Sequence, residues 1–265
     1  MMNSFLSSGH FPWLAIGTGT LALLLFGGVT MANDNPAAPK EQAEKEKAAE
    51  PVFPEKVSIE QKLDSIVVPK VDWEGTTLEE AIVFLRMRAM ELDRNEPKPH
   101  RKGFNIVIQS PAAGADPVRL TLVKEQTTLR ALILEASQEA GMKFRVDDFA
   151  LVLYPADQAA DQEKPWKIPT GEAADFAAKR IIPRIDFGST TLKDAVEFLN
   201  LRIGELTKHS VADPIVFDGD ADPTAEIRGL HLRDVPLSHV LRYCTEAAGH
   251  RWIADDDSKL RIIRK

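Results

Sequence analysis

Two stretches of this chain are near copies of one another, and this limits what it can fold into more than any other feature. Residues 67–92 read VVPKVDWEGTTLEEAIVFLRMRAMEL and residues 181–206 read IIPRIDFGSTTLKDAVEFLNLRIGEL. Laid side by side without a gap, they share Pro69/Pro183, Asp72/Asp186, Thr76/Thr190, Thr77/Thr191, Leu78/Leu192, Ala81/Ala195, Phe84/Phe198, Leu85/Leu199, Arg88/Arg202, Glu91/Glu205 and Leu92/Leu206. Most other positions swap like for like, as in Val71/Ile185 and Trp73/Phe187. Self-similarity over so long a stretch indicates one supersecondary unit copied in tandem.

Within this unit the hydrophobic period changes from two to 3.6. Val67, Pro69, Val71 and Trp73 alternate with outward Lys70 and Asp72, and Ile181, Pro183, Ile185 and Phe187 alternate with outward Arg184 and Asp186. That is the pattern of a half-buried strand. Proline gives no N–H to a ladder, so both strands are expected at sheet edges, or paired only beyond the proline. Thr77 with Glu80 makes a capping box at a helix start, and Thr191 with Asp194 is its weaker copy.

At about 100° per residue, Leu78, Ala81, Ile82, Leu85, Ala89 and Leu92 share one stripe, as do Leu192, Ala195, Val196, Leu199, Ile203 and Leu206. Those stripes are the expected buried faces. Phe84 and Arg88 flank the first and Phe198 and Arg202 the second, so each guanidinium is expected over its ring, with Glu91 or Glu205 as counter-charge. Exposed helix pairs of this kind are ordinary and individually weak, which favours a structural role over a site.

The copies continue in matching order. Copy one runs through a polar loop at 93–103, strands at 105–109 and 118–123, a helix at 129–140 closed by a left-handed Gly141, and a hairpin of 143–146 with 150–154. Copy two has a shorter loop, strands at 214–218 and 226–232, a helix at 237–248 closed by Gly249, and a hairpin of 251–254 with 260–263. The expected fold class is α+β, two tandem copies of a β-α-β-β-α-β-β unit behind an N-terminal hydrophobic segment. The nearest competitor is a ferredoxin-like split βαβ, which has the same element order in a single antiparallel sheet.

The chain has 265 residues, 44% of them apolar, and a net charge of −7, which suits two modest globular domains. An acidic balance without a basic aromatic stripe argues against nucleic acid as partner. Residues 11–32 carry no charge and read as a membrane-targeting segment. Its length fits a retained transmembrane anchor, and Thr30-Met31-Ala32 offers a cleavage site for a signal peptide; both fates stay open. The expected organisation is a signal or anchor at 1–32, a disordered tether at 33–57, a first unit at 58–155, a linker at 156–177 in which only Trp166 and Ile168 could dock, and a second unit at 178–265.

The run IVVPKVDWEGTTLEEAIVFL, then NIVIQ, RLTLV, a second helix ending in glycine and the closing FRVDDFALVLY resemble the small N-terminal domain shared by secretins and TonB-dependent receptors, the STN domain. Its strand followed by spaced Leu, Ala and Leu is met by Leu78, Ala81, Leu85 and by Leu192, Ala195, Leu199, and its second helix entry by residues 230–237, LHLRDVPL. Copy one departs from the pattern, with Glu125-Gln126-Thr127-Thr128 where the family prefers Asn-Val-Pro. No barrel sequence follows before Lys265. The resemblance implies a bacterial cell-envelope location, periplasmic, anchored or secreted, and contacts with other proteins.

Constellations that could carry chemistry mostly fail on their own spacing. Asp218, Asp220 and Asp222 alternate as in a calcium loop, but Pro223 stands where such a loop needs Gly and Gly229 where it needs Glu. Cys244, the lone cysteine, falls on the buried stripe of Leu237, Val240 and Leu241, with His239 pointing about 140° away. It reads as core filler and excludes an internal disulfide. His231 is expected to face water, and His100, His209 and His250 to lie in loops or at a helix end, without metal-ligand spacing. Asp147-Asp148 and the run 255–257 read as hairpin turns.

No metal, cofactor, small-molecule substrate or catalytic residue is assigned. The expected function is a non-catalytic cell-envelope interaction module that binds protein partners at exposed sheet edges through Lys70, Asp72, Arg184 and Asp186, with the membrane engaged through residues 11–32 if they are uncleaved. The alternative is an envelope enzyme of hydrolase type with its site in the loops, around His100 and His209.

Overall fold

A computed structural model describes residues 57–109, 118–162, 165–211, 213–255 and 257–265. The apolar segment at 11–32, the tether up to residue 56 and Glu163 of the expected linker lie outside these residues. Among the described residues no helix is long and apolar enough to cross a membrane.

The architecture is α+β. The first half runs α1 (Ile59–Ser65), β1 (Val67–Thr77), α2 (Leu78–Leu92), β2 (Asn105–Ile108), β3 (Arg119–Thr128), α3 (Leu129–Glu139), β4 (Met142–Val146) and β5 (Ala150–Pro155). After the short α4 (Ala159–Gln162), the second half runs α5 (Glu172–Lys179), β6 (Ile181–Thr191), α6 (Leu192–Leu206), β7 (Ile215–Phe217), β8 (Glu226–Pro236), α7 (Leu237–Ala247), β9 (His250–Ala254) and β10 (Leu260–Arg264).

Local chemistry sets the ends of these elements. Thr77 Oγ1 accepts from Glu80 N while the Glu80 carboxylate accepts from Thr77 N, so α2 starts with a complete capping box. Thr191 accepts from Asp194 N at the head of α6. Gly141 and Gly249 follow α3 and α7 at φ of +65° and +72°, where a Cβ would be strained. Arg88 lies 5.2 Å from the centre of the Phe84 ring and Arg202 5.4 Å from Phe198, with Glu91 and Glu205 paired to them at 2.8 and 2.7 Å.

The strand pairing excludes a single antiparallel sheet in each half. β1 pairs antiparallel with β3, while β2 pairs parallel with β5, which pairs antiparallel with β4. β6 likewise pairs antiparallel with β8, and β7 pairs parallel with β10, which pairs antiparallel with β9. An antiparallel bridge between Ile106 of β2 and His231 of β8 then joins the halves into a five-stranded sheet of order β4-β5-β2-β8-β6.

That seam leaves β2 and β5 buried on both faces. Ile106, Ile108, Leu151 and Leu153 pack into the first core, under α2 and α3. Val107, Ala150 and Val152, on the opposite face, pack into the core of the second half. A strand covered on both sides is apolar without alternation, as NIVI and ALVLY are. The corresponding β7-β10-β9 sheet is covered on one side, and β10 accordingly alternates as LRIIR.

The expected inward row of Val67, Pro69, Val71 and Trp73 is corrected. Val68, Val71 and Trp73 are buried, whereas Val67 is 41% exposed and Pro69 is also outward. Ile182 and Ile185 are likewise buried and Ile181 46% exposed. The alternation breaks at each proline. The register places Gln126 opposite Pro69 and Asp234 opposite Pro183, and both have left-handed backbones, at φ of 47° and 53°. The left-handed kink turns the ladder over locally. Leu206, expected in the buried stripe, is 46% exposed because α6 runs past its core in the last turn.

Residues 156–177, expected to be linker, contain α4 and most of α5. Ala173, Ala174 and Ala177 of α5 are buried in the second core, where small side chains let the helix approach α7. Trp166 docks as expected, 5.0 Å from the His239 ring and 6.5 Å from that of Trp252. Ile168 stays exposed.

Candidate functional site

The proline-bearing strands β1 and β6 are outermost in their sheets, each paired on one side. On β1, Lys70 Nζ lies 3.6 Å from Asp72 Oδ2, both well exposed. On β6, Arg184 Nη2 lies 2.8 Å from Asp186 Oδ2, and His231 of β8 bonds the other Asp186 oxygen. The Arg184 hydrogen bond, aided by His231, holds the Asp186 carboxyl below its usual range. The four residues sit on two different sheets and do not converge on one site. Arg86 of α2 is drawn into the electrostatics of the second pair: burial first, then the field of Arg233, lower its pKa, and Asp186 acts in the opposite sense.

The seam itself carries a polar assembly built from both halves. Beside the Ile106–His231 bridge, Asn105 Nδ2 donates to the carbonyls of Phe149 at 2.9 Å and Arg233 at 3.1 Å, and Asn105 Oδ1 accepts from Arg233 N at 3.0 Å. Arg233 Nη2 reaches back to the Lys102 carbonyl at 2.9 Å.

At the other end of the seam, two arginines and two carboxylates close a ring. Arg145 on β4 pairs with Asp147 at 3.2 Å and with Glu246 on α7 at 2.7 Å. Arg242 pairs with Asp147 at 3.1 Å and with Glu246 at 2.9 Å. Gln109 Nε2 donates to Glu246 at 2.8 Å, Gln162 accepts from Arg145, and Trp166 lies under Arg242 at 4.7 Å. Burial opposes the charge on Glu246, but Arg145 and Arg242 outweigh it and hold the carboxyl below its ordinary range. Each charge is matched, so the ring has no surplus with which to attract an ion. Its work is to fasten the first half's hairpin to α7.

No family model, curated protein or solved structure matches this chain. What it can do is therefore argued from its own geometry.

The residues considered for chemistry stay apart. His100 is exposed in a turn at 99–101, while His209 lines a groove of about 750 Å³ between α6 and β7 in the other half. Cys244 is buried, and burial pushes its thiol up to about 12. Asp218 and Asp222 direct their carboxylates to Gly219 N and Thr224 N in their own turn. His231, expected to face water, is partly covered by its bond to Asp186.

The ring was missed in the sequence because Asp147 reads as turn chemistry. Arg242 and Glu246, four apart on a helix, were the available signal.

Proposed function

We propose that the chain is a non-catalytic cell-envelope interaction module, two STN-like copies of one unit behind an N-terminal anchor or signal, that binds an extended segment of another protein at its open sheet edges. One observation carries this: the chain already uses edge pairing to join its own halves, β8 against β2, and leaves β1 and β6 outermost. An open edge offers backbone donors and acceptors to an added strand, and outward side chains supply selectivity. Pro69 and Pro183 remove one donor from each edge, which limits the register a partner can take. Two such edges on one body raise avidity for a partner that spans both.

The test reverses the charges of Lys70 and Asp72 in one variant and of Arg184 and Asp186 in another, then compares envelope proteins crosslinked to each full-length chain. Loss of a partner in either variant supports the edge reading. An unchanged set in both removes these edges, recovery of the chain from the cytosol removes the envelope location, and turnover of a small substrate by the purified chain replaces binding with catalysis.

A further inference from the structure

Charge is unevenly matched on the face of the seam that turns toward α2. Ile106 packs into the first core under α2 and is bridged to His231, so the outward residues of β8 and β6 on that side continue the floor beneath the helix. There Asp186 is opposite His231 and Arg184 is opposite Arg233. Like charges directly opposed across a ladder repel one another.

The loop before β2 brings Arg233 to α2. Arg233 Nη2 donates to the Lys102 carbonyl at 2.9 Å, and the next residue, Gly103, is so close to the helix that a Cβ on it would come within 2.8 Å of Met90 Cγ and 3.2 Å of Met90 N. Arg86 stands one turn before Met90 on the same side of α2. Arg86 thereby shares one corner of the molecule with Arg233 and, across the ladder, with Arg184. Burial and then the field of Arg233 oppose its charge, while Asp186 acts in the other sense.

The counter-charge within reach is already engaged. Asp186 accepts from Arg184 at 2.8 Å and bonds His231 through its other oxygen. Among the described residues Arg86 makes no hydrogen bond or ion pair. In the ring at the far end of the seam each guanidinium meets two carboxylates, whereas here three guanidiniums meet one. A half-buried charge without a partner costs stability, so nothing in the fold itself accounts for Arg86 at this place. Arg184 is 75% exposed, which leaves the cluster open to solvent on the β6 side.

We propose that Arg86, Arg184 and Arg233 form a binding site for a phosphate monoester. Such a group carries up to about two negative charges near neutral pH and several acceptor oxygens, which matches the surplus left by Asp186. Guanidinium forks hold phosphate oxygens in pairs. A carboxylate would leave part of the surplus unmatched. Val83 and Met90, one turn to either side of Arg86, are 46% and 43% exposed and offer apolar contact to the substituent of the ester. Arg184 also belongs to the β6 edge, but this ligand is distinct from the protein segment of the envelope reading, and the site does not depend on that reading.

The experiment melts the full-length chain in increasing glycerol phosphate, with the ionic strength held constant by chloride. A saturable rise of the midpoint is expected, because a ligand of the folded chain stabilises it. Arg86→Gln and Arg184→Gln should each weaken the apparent affinity about tenfold or more. Without ligand, Arg86→Gln should melt no lower than the native chain, since it removes an unmatched charge. A soluble short-chain phosphatidic acid that binds more tightly than glycerol phosphate identifies a lipid headgroup as the source of the phosphate, and weaker binding identifies a soluble ester. The absence of a rise overturns the proposal, as does a rise that acetate reproduces at the same ionic strength. So does a rise that both variants leave unchanged, or an Arg86→Gln chain that melts lower while keeping the full response to glycerol phosphate.

Discussion

Asn105 meets Arg233 across the seam as a neighbouring strand would, its side-chain amide donating to the Arg233 carbonyl at 3.1 Å and accepting from the Arg233 N–H at 3.0 Å. A side chain thereby extends the short β2–β8 ladder beyond its single bridge. Replacing it with Asn105→Leu leaves the Arg233 backbone and the Phe149 carbonyl without these partners. The expected loss is about 2 kcal/mol of unfolding free energy, read as a lower urea midpoint with an unchanged slope.

The ring of Arg145, Asp147, Arg242 and Glu246 is predicted to be costly to open and pH-sensitive. Removing one member strands its partners, so Glu246→Ala should lose about 3 kcal/mol. Glu246 has a folded pKa below its ordinary value of 4.5, so the unfolded chain takes up the proton first as the solution is acidified. Its contribution is complete above about 4.5 and is lost as the pH falls through the folded value. Melting curves from neutral to acidic pH should fall more steeply for the native chain than for Glu246→Gln; parallel curves would exclude this coupling.

Cys244 is 2% exposed, and burial pushes its pKa up to about 12. A water-soluble thiol reagent should leave the native chain unlabelled and react fully after denaturation. Rapid labelling of the native chain would show that α7 is not packed as described.

What could be read from the sequence was what neighbours in the chain decide. The Thr77 cap, the Arg88–Glu91 and Arg202–Glu205 pairs and the buried stripes of α2 as far as Ala89 and of α6 as far as Ile203 each depend on residues within a few positions of one another, and they stand as expected. The parity break at Pro69 and Pro183 does not, because its cause lies in Gln126 and Asp234 on the partner strands. α5 was hidden for a different reason: its sequence, EAADFAAK, has the alanine and acidic composition of a solvated connection, and its buried alanines gain from close approach instead of side-chain volume. The seam had a trace that was not used. ALVLY is apolar throughout where its counterpart LRIIR alternates, and only a strand covered on both faces needs the former. Among the candidate site residues, the pairing of Lys70 with Asp72 and of Arg184 with Asp186 follows from spacing along a strand, whereas the coupling of Arg86 to the second pair depends on α2 meeting the other half.

The capping threonines of α2 and α6 can each be tested by substitution. Thr77 and Glu80 exchange two backbone bonds, while Thr191 accepts from Asp194 N and donates its hydroxyl to the Asp194 carboxylate. Thr77→Ala and Thr191→Ala should each cost about 1 kcal/mol, because each removes the acceptor for a first-turn N–H and the hydroxyl partner of the carboxylate that follows it. Equal midpoints for Thr77→Ala and the native chain would contradict the cap.

The central claim is that the halves form one body through a strand-to-strand seam, and the backbone protons of Ile106 and His231 report on it directly. In the folded chain, nuclear Overhauser contacts between the two residues are expected at the strength of a neighbouring antiparallel pair. Their absence, with contacts inside the β1–β3 and β6–β8 pairs intact, would contradict the seam.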